Sequence, residues 1–158
     1  MKAGGTGGGD VSLHTTSEGR NIYCMPIEVF PNFIGNVYVI SDGESRLLVD
    51  TGSPMPNSNQ NLVAAMAQIG EKFGEPIELK DIDKILITHG HTDHFGGLPF
   101  VREHTDAPVG IHILDRRILS HYEERVVVAA KGLAVFLAAS GISETAQAAT
   151  MQMYMMTK

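Results

Sequence analysis

The sequence predicts a mixed α/β fold, and three observations carry that reading. Short runs rich in Val, Ile, Tyr and Phe recur between residues 22 and 52. The apolar period then changes to that of a helix between 57 and 74, and an unbroken apolar run further on ends in a cluster of histidines.

Taken in order, residues 1–20 are rich in Gly, Ser and Thr and offer little to bury, so a flexible tail is expected there. Its run GGTGGG follows no strand, opens no apolar helix and lacks the Lys of a phosphate-cradling loop, so it is read as tail. IYCMPIEVF, NVYVISDG and SRLLVDTG read as strands. Gly35-Asn36 and Asp42-Gly43 supply turn chemistry between them, and antiparallel pairing is the simplest arrangement. Leu62, Met66, Ile69 and Phe73 then form one helical stripe, with Asn57 or Ser58 to cap its start and Gly74 to end it. In DKILITH, Ile85, Leu86 and Ile87 are consecutive, as in a strand covered on both faces. A short helix from Gly96 to His104 and a strand in APVGIHIL are expected next. Asp115 can cap a further helix, along which Ile118, Tyr122, Val126 and Ala130 recur near helical spacing. Gly141 breaks that run, and Ser143 can cap a last helix to about residue 157. The methionines of that helix, Met151, Met153, Met155 and Met156, are expected mainly to fill core. The division that results is a Gly-rich tail over 1–20, an αβ unit over 21–114 and a helical segment over 115–158.

Bulk composition narrows the functional classes. A chain of 158 residues, 43% hydrophobic and 19% charged, has the make-up of one ordinary globular domain. Its net charge of -6 argues against general affinity for nucleic acid or anionic membrane. Cys24 is the single cysteine, which excludes an intramolecular disulfide, and it is expected as a small buried apolar group. The N-terminal residues lack the apolar centre of a secretory signal, so a cytoplasmic location is expected. The run VVVAAKGLAVFLAAS carries Lys131 and is too short to cross a bilayer; a buried or interface helix is expected instead.

Chemistry concentrates in residues 87–97, ITHGHTDHFGG. His89, His91, Asp93 and His94 lie within six positions there, in a chain with seven histidines. Packing rarely asks for such a cluster, and metal binding does. His89 and His91, two apart in extended chain, point to one side and can converge on a cation. Asp93 and His94 can serve a second cation or share the first. Nitrogen and oxygen donors without thiolate favour zinc, with iron or manganese open. The paired glycines that follow, Gly96 and Gly97, permit close backbone approach.

THGHTDHFGG resembles the signature loop of the metallo-β-lactamase superfamily of hydrolases, and LLVDTG, Leu47 to Gly52, resembles the strand-end Asp motif that precedes it. The resemblance covers Ile22 to about Asp115. It implies a four-layer αββα sandwich with one or two metal ions at a sheet edge. It implies that His89 and His91 ligate a first metal, Asp93 and His94 a second, and that Asp50 orients the loop from beneath by hydrogen bonding. It further implies a metal-activated hydroxide that attacks an ester, thioester, lactone, amide or phosphoester, with Asp93 as a catalytic residue that orients the hydroxide.

The resemblance stops short of a full ligand set. The family pattern continues with a third His for the first site, a bridging Asp and a further His, whereas His104, His112 and His121 stand in other contexts. His112 reads as a satisfied strand residue, and His104 and His121 as helix-surface residues. The chain is therefore expected to represent the N-terminal half of such a hydrolase, with little turnover alone and a sheet face that self-association or a missing half would cover. The substrate is expected to be a small molecule. Two rival readings exist. DTGS at Asp50 to Ser53 also resembles the loop of dimeric aspartic proteases, where two carboxylates share a proton. Alternatively, the loop could serve a non-catalytic metal-binding scaffold.

Overall fold

A computed structural model describes residues 8–155 of the chain. They divide into two compact units, Met1–His112 and Ile113–Lys158.

The first unit is built on a six-stranded sheet in the sequential order β1 (Ser12–Thr15), β2 (Asn21–Phe30), β3 (Phe33–Ser41), β4 (Arg46–Val49), β5 (Lys84–Ile87) and β6 (Val109–Ile111). The first four strands run antiparallel to their neighbours, whereas β4, β5 and β6 are parallel. A parallel neighbour needs a crossover, and α1 (Pro56–Phe73) supplies the one from β4 to β5. Its stripe packs as the spacing predicts: Leu62, Met66 and Ile69 are buried, and the Phe73 ring lies 5.6 Å from that of Tyr23. The helix ends at Gly74, which takes the left-handed conformation at φ 75°.

One face of the sheet makes the core. Tyr23, Met25, Ile27 and Val29 of β2, Val37 and Val39 of β3, Leu48 of β4, and Ile85 and Ile87 of β5 are buried against the α1 stripe. The alternate residues form a second row across the strands, in which Cys24 pairs with Tyr38, Tyr38 with Val49 and Val49 with Leu86. That row is only half-buried, and Leu86 is 40% exposed. Strand β5 is therefore covered on one face, not on both as its unbroken apolar run suggested, and Cys24 is half-buried rather than buried. Apolar content alone does not set burial, because the pleat divides it between two unlike faces.

Other expectations are corrected by local chemistry. The tail expected over residues 1–20 includes an ordered stretch. Gly9 donates to the Pro26 carbonyl at 2.9 Å, Val11 is 5% exposed and Ser12–Thr15 pair with β2. An open strand edge recruits backbone whatever its composition; residues 1–7 lie outside the described part. The turn between β2 and β3 falls at Asn32, at φ 64° with its N–H held by Glu28 Oε1, so Gly35-Asn36 lies inside β3. Gly43, at φ 91°, does turn the chain before β4. Helix α1 starts at Pro56, whose fixed φ suits a first turn, and Ser58 does not cap it: its buried Oγ accepts the Ser53 N–H instead. The helix expected from Gly96 to His104 is present as the shorter α3 (Leu98–Arg102), and another short helix, α2 (Thr92–Phe95), precedes it.

The second unit holds α4 (Ile113–Ser120), α5 (Tyr122–Ala139) and α6 (Glu144–Met155). The strand expected through Leu114 ends at Ile111, and the helix starts two residues ahead of Asp115. Gly141, at φ 70°, separates α5 from α6, where Ser143 Oγ accepts the Ala146 N–H as a cap. Met153 and Met155 are exposed rather than core filling, and Met156 lies outside the described residues. Among the described residues no helix is long and apolar enough to cross a membrane.

Candidate metal centre

The site grows from the ends of two parallel neighbours. Strand β4 ends at Val49 and β5 at Ile87, so residues 50–53 and 88–97 leave the same edge of the sheet side by side. Asp50 turns the chain there. Its φ is 64°, a left-handed value that Asp tolerates better than most residues, and its N–H donates to the Leu86 carbonyl at 2.8 Å. The two loops are then stitched together. Thr51 donates its N–H to the His94 carbonyl at 2.7 Å, and Gly97 donates to the Gly52 carbonyl at 3.0 Å. The glycines permit this crossing: a Cβ on Gly97 would stand 2.2 Å from the Thr51 carbonyl oxygen, and one on Gly96 2.8 Å from the Pro54 nitrogen. Ser53 is tied down separately by a hydrogen bond from its Oγ to the Val29 carbonyl.

Asp50 lies beneath the histidine loop, 3% exposed, with both carboxylate oxygens engaged. Oδ1 accepts the Thr88 N–H at 2.8 Å; Oδ2 takes the Thr88 hydroxyl at 2.8 Å and faces His94 Nδ1 at 2.8 Å. A carboxylate only accepts, so Nδ1 is the donor of this pair, and in a neutral His94 ring Nε2 is left as the acceptor. Thr88 extends the same logic. Its single proton goes to Asp50, so its oxygen accepts from His89 Nδ1 at 3.0 Å, and in a neutral ring His89 Nε2 is then the acceptor of its contact with His91. The contact positions His89 as Asp50 positions His94. Thr88 was missed in the sequence reading, although its place between the apolar strand and the first histidine is the signal that could have found it.

The four expected ligand residues are gathered at this edge as two pairs. His89 Nε2 and His91 Nδ1 are 3.0 Å apart, and Asp93 Oδ2 and His94 Nε2 are 3.4 Å apart. Two donors held tetrahedrally at ~2.0–2.1 Å from one ion stand ~3.3 Å apart. The 3.0 Å contact is a ring-to-ring hydrogen bond, and both separations lie within ~0.3 Å of the spacing that two donors to one tetrahedral ion would have. The rings of His89 and His94, 4.1 Å between centroids, put the two pairs side by side. Among the described residues no three ligand-type side chains converge on one point.

The remaining histidines are elsewhere. His104 Nδ1 faces the Phe100 carbonyl at 2.9 Å, an α3 end contact; His14 is on β1; His112 is exposed just past β6 rather than in the strand; His121 precedes α5. Nearby on the second row, burial, the neighbouring Cys24 and the charge of Asp50 hold the Tyr38 phenol above its usual pKa. Both oxygens of Asp50 are committed inside the loop, which leaves none to share a proton with a second carboxylate. The paired-carboxylate reading of DTGS therefore lacks a free group.

A mixed α/β sheet whose parallel strand ends present this loop defines a class of protein. The family model of the metallo-beta-lactamase superfamily matches residues 31–146, and the chain belongs to that family. Among curated proteins it is 39% identical over 82 residues to the probable metallo-hydrolase YflN of Bacillus subtilis (strain 168), a match that covers 50% of this chain and 28% of that protein. It is 38% identical over 64 residues to an atrochrysone carboxyl ACP thioesterase of Aspergillus fumigatus, covering 40% of this chain and 13% of the relative. Among solved structures, the subclass B3 metallo-beta-lactamase MEM-A1 from a soil metagenome library superposes with a TM-score of 0.54 at 21% identity. That superposition covers 72% of this chain and 37% of MEM-A1, and it is a likeness of fold. The matched stretch spans less than a third of these curated relatives.

Proposed function

We propose that the loop at the β4–β5 edge is the N-terminal part of a metal-dependent hydrolytic centre acting on an ester, thioester, lactone, amide or phosphoester. One observation carries the reading: two donor pairs at ion-sharing separations, set on a buried carboxylate that fixes the protons of two of the rings. In this reading His89 Nε2 and His91 Nδ1 hold a first ion, and Asp93 Oδ2 and His94 Nε2 a second. Zinc suits the donors best, and iron or manganese are compatible with them. When bound, such ions supply an activated water and positive charge for a developing oxyanion.

The chain's own residues do the rest. Asp50 acts as a positioning residue: it keeps His94 in the tautomer that can ligate, and through Thr88 it does the same for His89. In this reading Asp93, its side chain 22% exposed, ligates and also orients the attacking hydroxide. The Gly96-Gly97 crossing holds the loop against residues 51–54, so that the donors are presented from a rigid base.

Two donors for each ion leave most of the coordination open, so the chain alone is expected to bind zinc weakly and turn over slowly. The test is metal titration of the purified chain, with elemental analysis, beside assays on p-nitrophenyl ester, thioester and bis-p-nitrophenyl phosphate substrates. Saturable zinc binding that His89→Ala and His91→Ala abolish supports the site. Absence of binding under excess zinc refutes it. Robust chelator-sensitive turnover by the chain alone would show that the loop needs no further donors. The half-buried second row, with Leu86 exposed, also supports the association expected from the sequence, and light scattering that detects only monomer at micromolar concentration overturns that part.

A further inference from the structure

The second unit contains a feature that the metal loop does not use. Helix α4 and the start of α5 border an open concavity of about 420 Å³ with two unlike linings. Ile113, Leu114 and Ile118 supply apolar wall, and Arg116, Arg117 and Arg125 supply guanidinium groups. The volume is that of a small-molecule site.

The arginines are what point to a ligand. The chain carries six more acidic than basic residues, so an arginine has carboxylates to choose from. The described ion pairs include those of Arg20, Arg46 and Arg102, yet none involves Arg116, Arg117 or Arg125, although Asp115, Glu123 and Glu124 are close by in sequence. Three unpaired guanidinium groups around one concavity create a local positive field on a negative chain. Their planar forks match the oxygens of a carboxylate or phosphate, and the isoleucine and leucine wall has no use for an inorganic ion.

We propose that this cavity binds an amphiphilic oxyanion, an apolar chain that ends in a carboxylate or a phosphate monoester. The head engages the arginines and the chain lies along Ile113, Leu114 and Ile118. The inference is independent of the metal site, because every lining residue lies between 113 and 125.

The test uses the full chain in EDTA, so that no oxyanion can be held through a metal. Decanoate, decyl phosphate, decanol and inorganic phosphate are titrated by calorimetry, each decyl compound below its micellar concentration. Amide shifts are followed in parallel by NMR. At least one of the two decyl anions is expected to bind tenfold or more tightly than both decanol and inorganic phosphate, with shifts confined to residues around 113–125. The stronger of the two names the head group. Arg116→Gln, Arg117→Gln and Arg125→Gln together, all at exposed positions, should weaken that anion tenfold or more with an unchanged circular dichroism spectrum. Leu114→Asn should weaken it while leaving inorganic phosphate unaffected. Affinity for decanol equal to that of the anions, affinity within threefold in the triple variant, or shifts centred outside α4 and α5 overturns the proposal.

Discussion

Replacing Asp50 by Asn tests the construction of the metal loop at its base. Asn also tolerates a left-handed backbone, so φ 64° is retained and the change is confined to the side chain. One oxygen survives to accept the Thr88 N–H, now at 2.8 Å from Oδ1. The new amide NH2 then faces both the Thr88 hydroxyl and His94 Nδ1, each 2.8 Å from Oδ2 in the parent. The hydroxyl can turn and accept. His94 cannot keep its Nδ1 proton against another donor, so it moves the proton to Nε2 and loses the outward lone pair. Exchange of an ionic for a neutral acceptor costs about 1–2 kcal/mol of stability at a buried position. Loss of an orienting partner costs zinc affinity about 10–100-fold, or roughly 1.4–2.7 kcal/mol. Urea unfolding of the metal-free chain reads the first quantity. Competition with a chromophoric chelator reads the second, and nitrogen-15 shifts of His94 report the tautomer directly. Zinc affinity within twofold of the parent, with the Nδ1 proton still in place, refutes the argument.

Further substitutions probe the same framework. Thr88→Val keeps shape and removes the hydroxyl between Asp50 and His89; it should free the His89 tautomer and lower zinc affinity about tenfold, read by the same competition assay. Gly97→Ala places a methyl group 2.2 Å from the Thr51 carbonyl oxygen and should cost about 1–3 kcal/mol in urea unfolding, with zinc affinity falling as the loops part. Glu75 lies at the opposite sheet edge, where it accepts the hydroxyls of Tyr23 and Ser41, each at 2.6 Å. Burial pushes its pKa up, but the hydrogen bonds from Ser41, Tyr23 and Asn21 and the Arg46 charge outweigh that and hold it below its usual value. Tyr23, buried beside that carboxylate, is pushed up to about 12. Glu75→Gln should therefore cost about 1–3 kcal/mol at neutral pH. The Glu75 contribution is complete above the unfolded-state pKa and lost as pH falls through the folded one, so the two unfolding curves should converge in acid. Parallel curves from pH 7 to pH 3 refute it.

The grouping of the candidate donors was legible because it is written locally. His89, His91, Asp93 and His94 lie within six residues, and the strand that delivers them announces itself as an apolar run. The α1 stripe and Gly74 were legible for the same reason, since helical period and a left-handed stop are both local signals. What escaped depends on distant partners. Strand β1 exists because β2 offers an open edge, which no property of residues 12–15 reveals. Ser58 looks like a cap until Ser53, brought close by the loop, claims its oxygen. Ile85, Leu86 and Ile87 are alike as letters, yet Leu86 faces the half-buried row and its neighbours face the core. The role of Thr88 depends on which of its neighbours owns a proton, a question that arises only once Asp50, from 38 residues earlier in the chain, is under it.

The stitching of residues 50–53 to 94–97 bears on how such a centre can be inherited or transplanted. A histidine segment grafted by itself onto a foreign strand would arrive without its keel, since the carboxylate that contacts His94 and Thr88 comes from just past the end of another strand. The smallest portable piece is the pair of parallel strand ends with the helix that joins them, Leu47 to Leu98. Recombination that cuts inside that span separates donors from the group that arms them, whereas breakpoints outside it move the device whole.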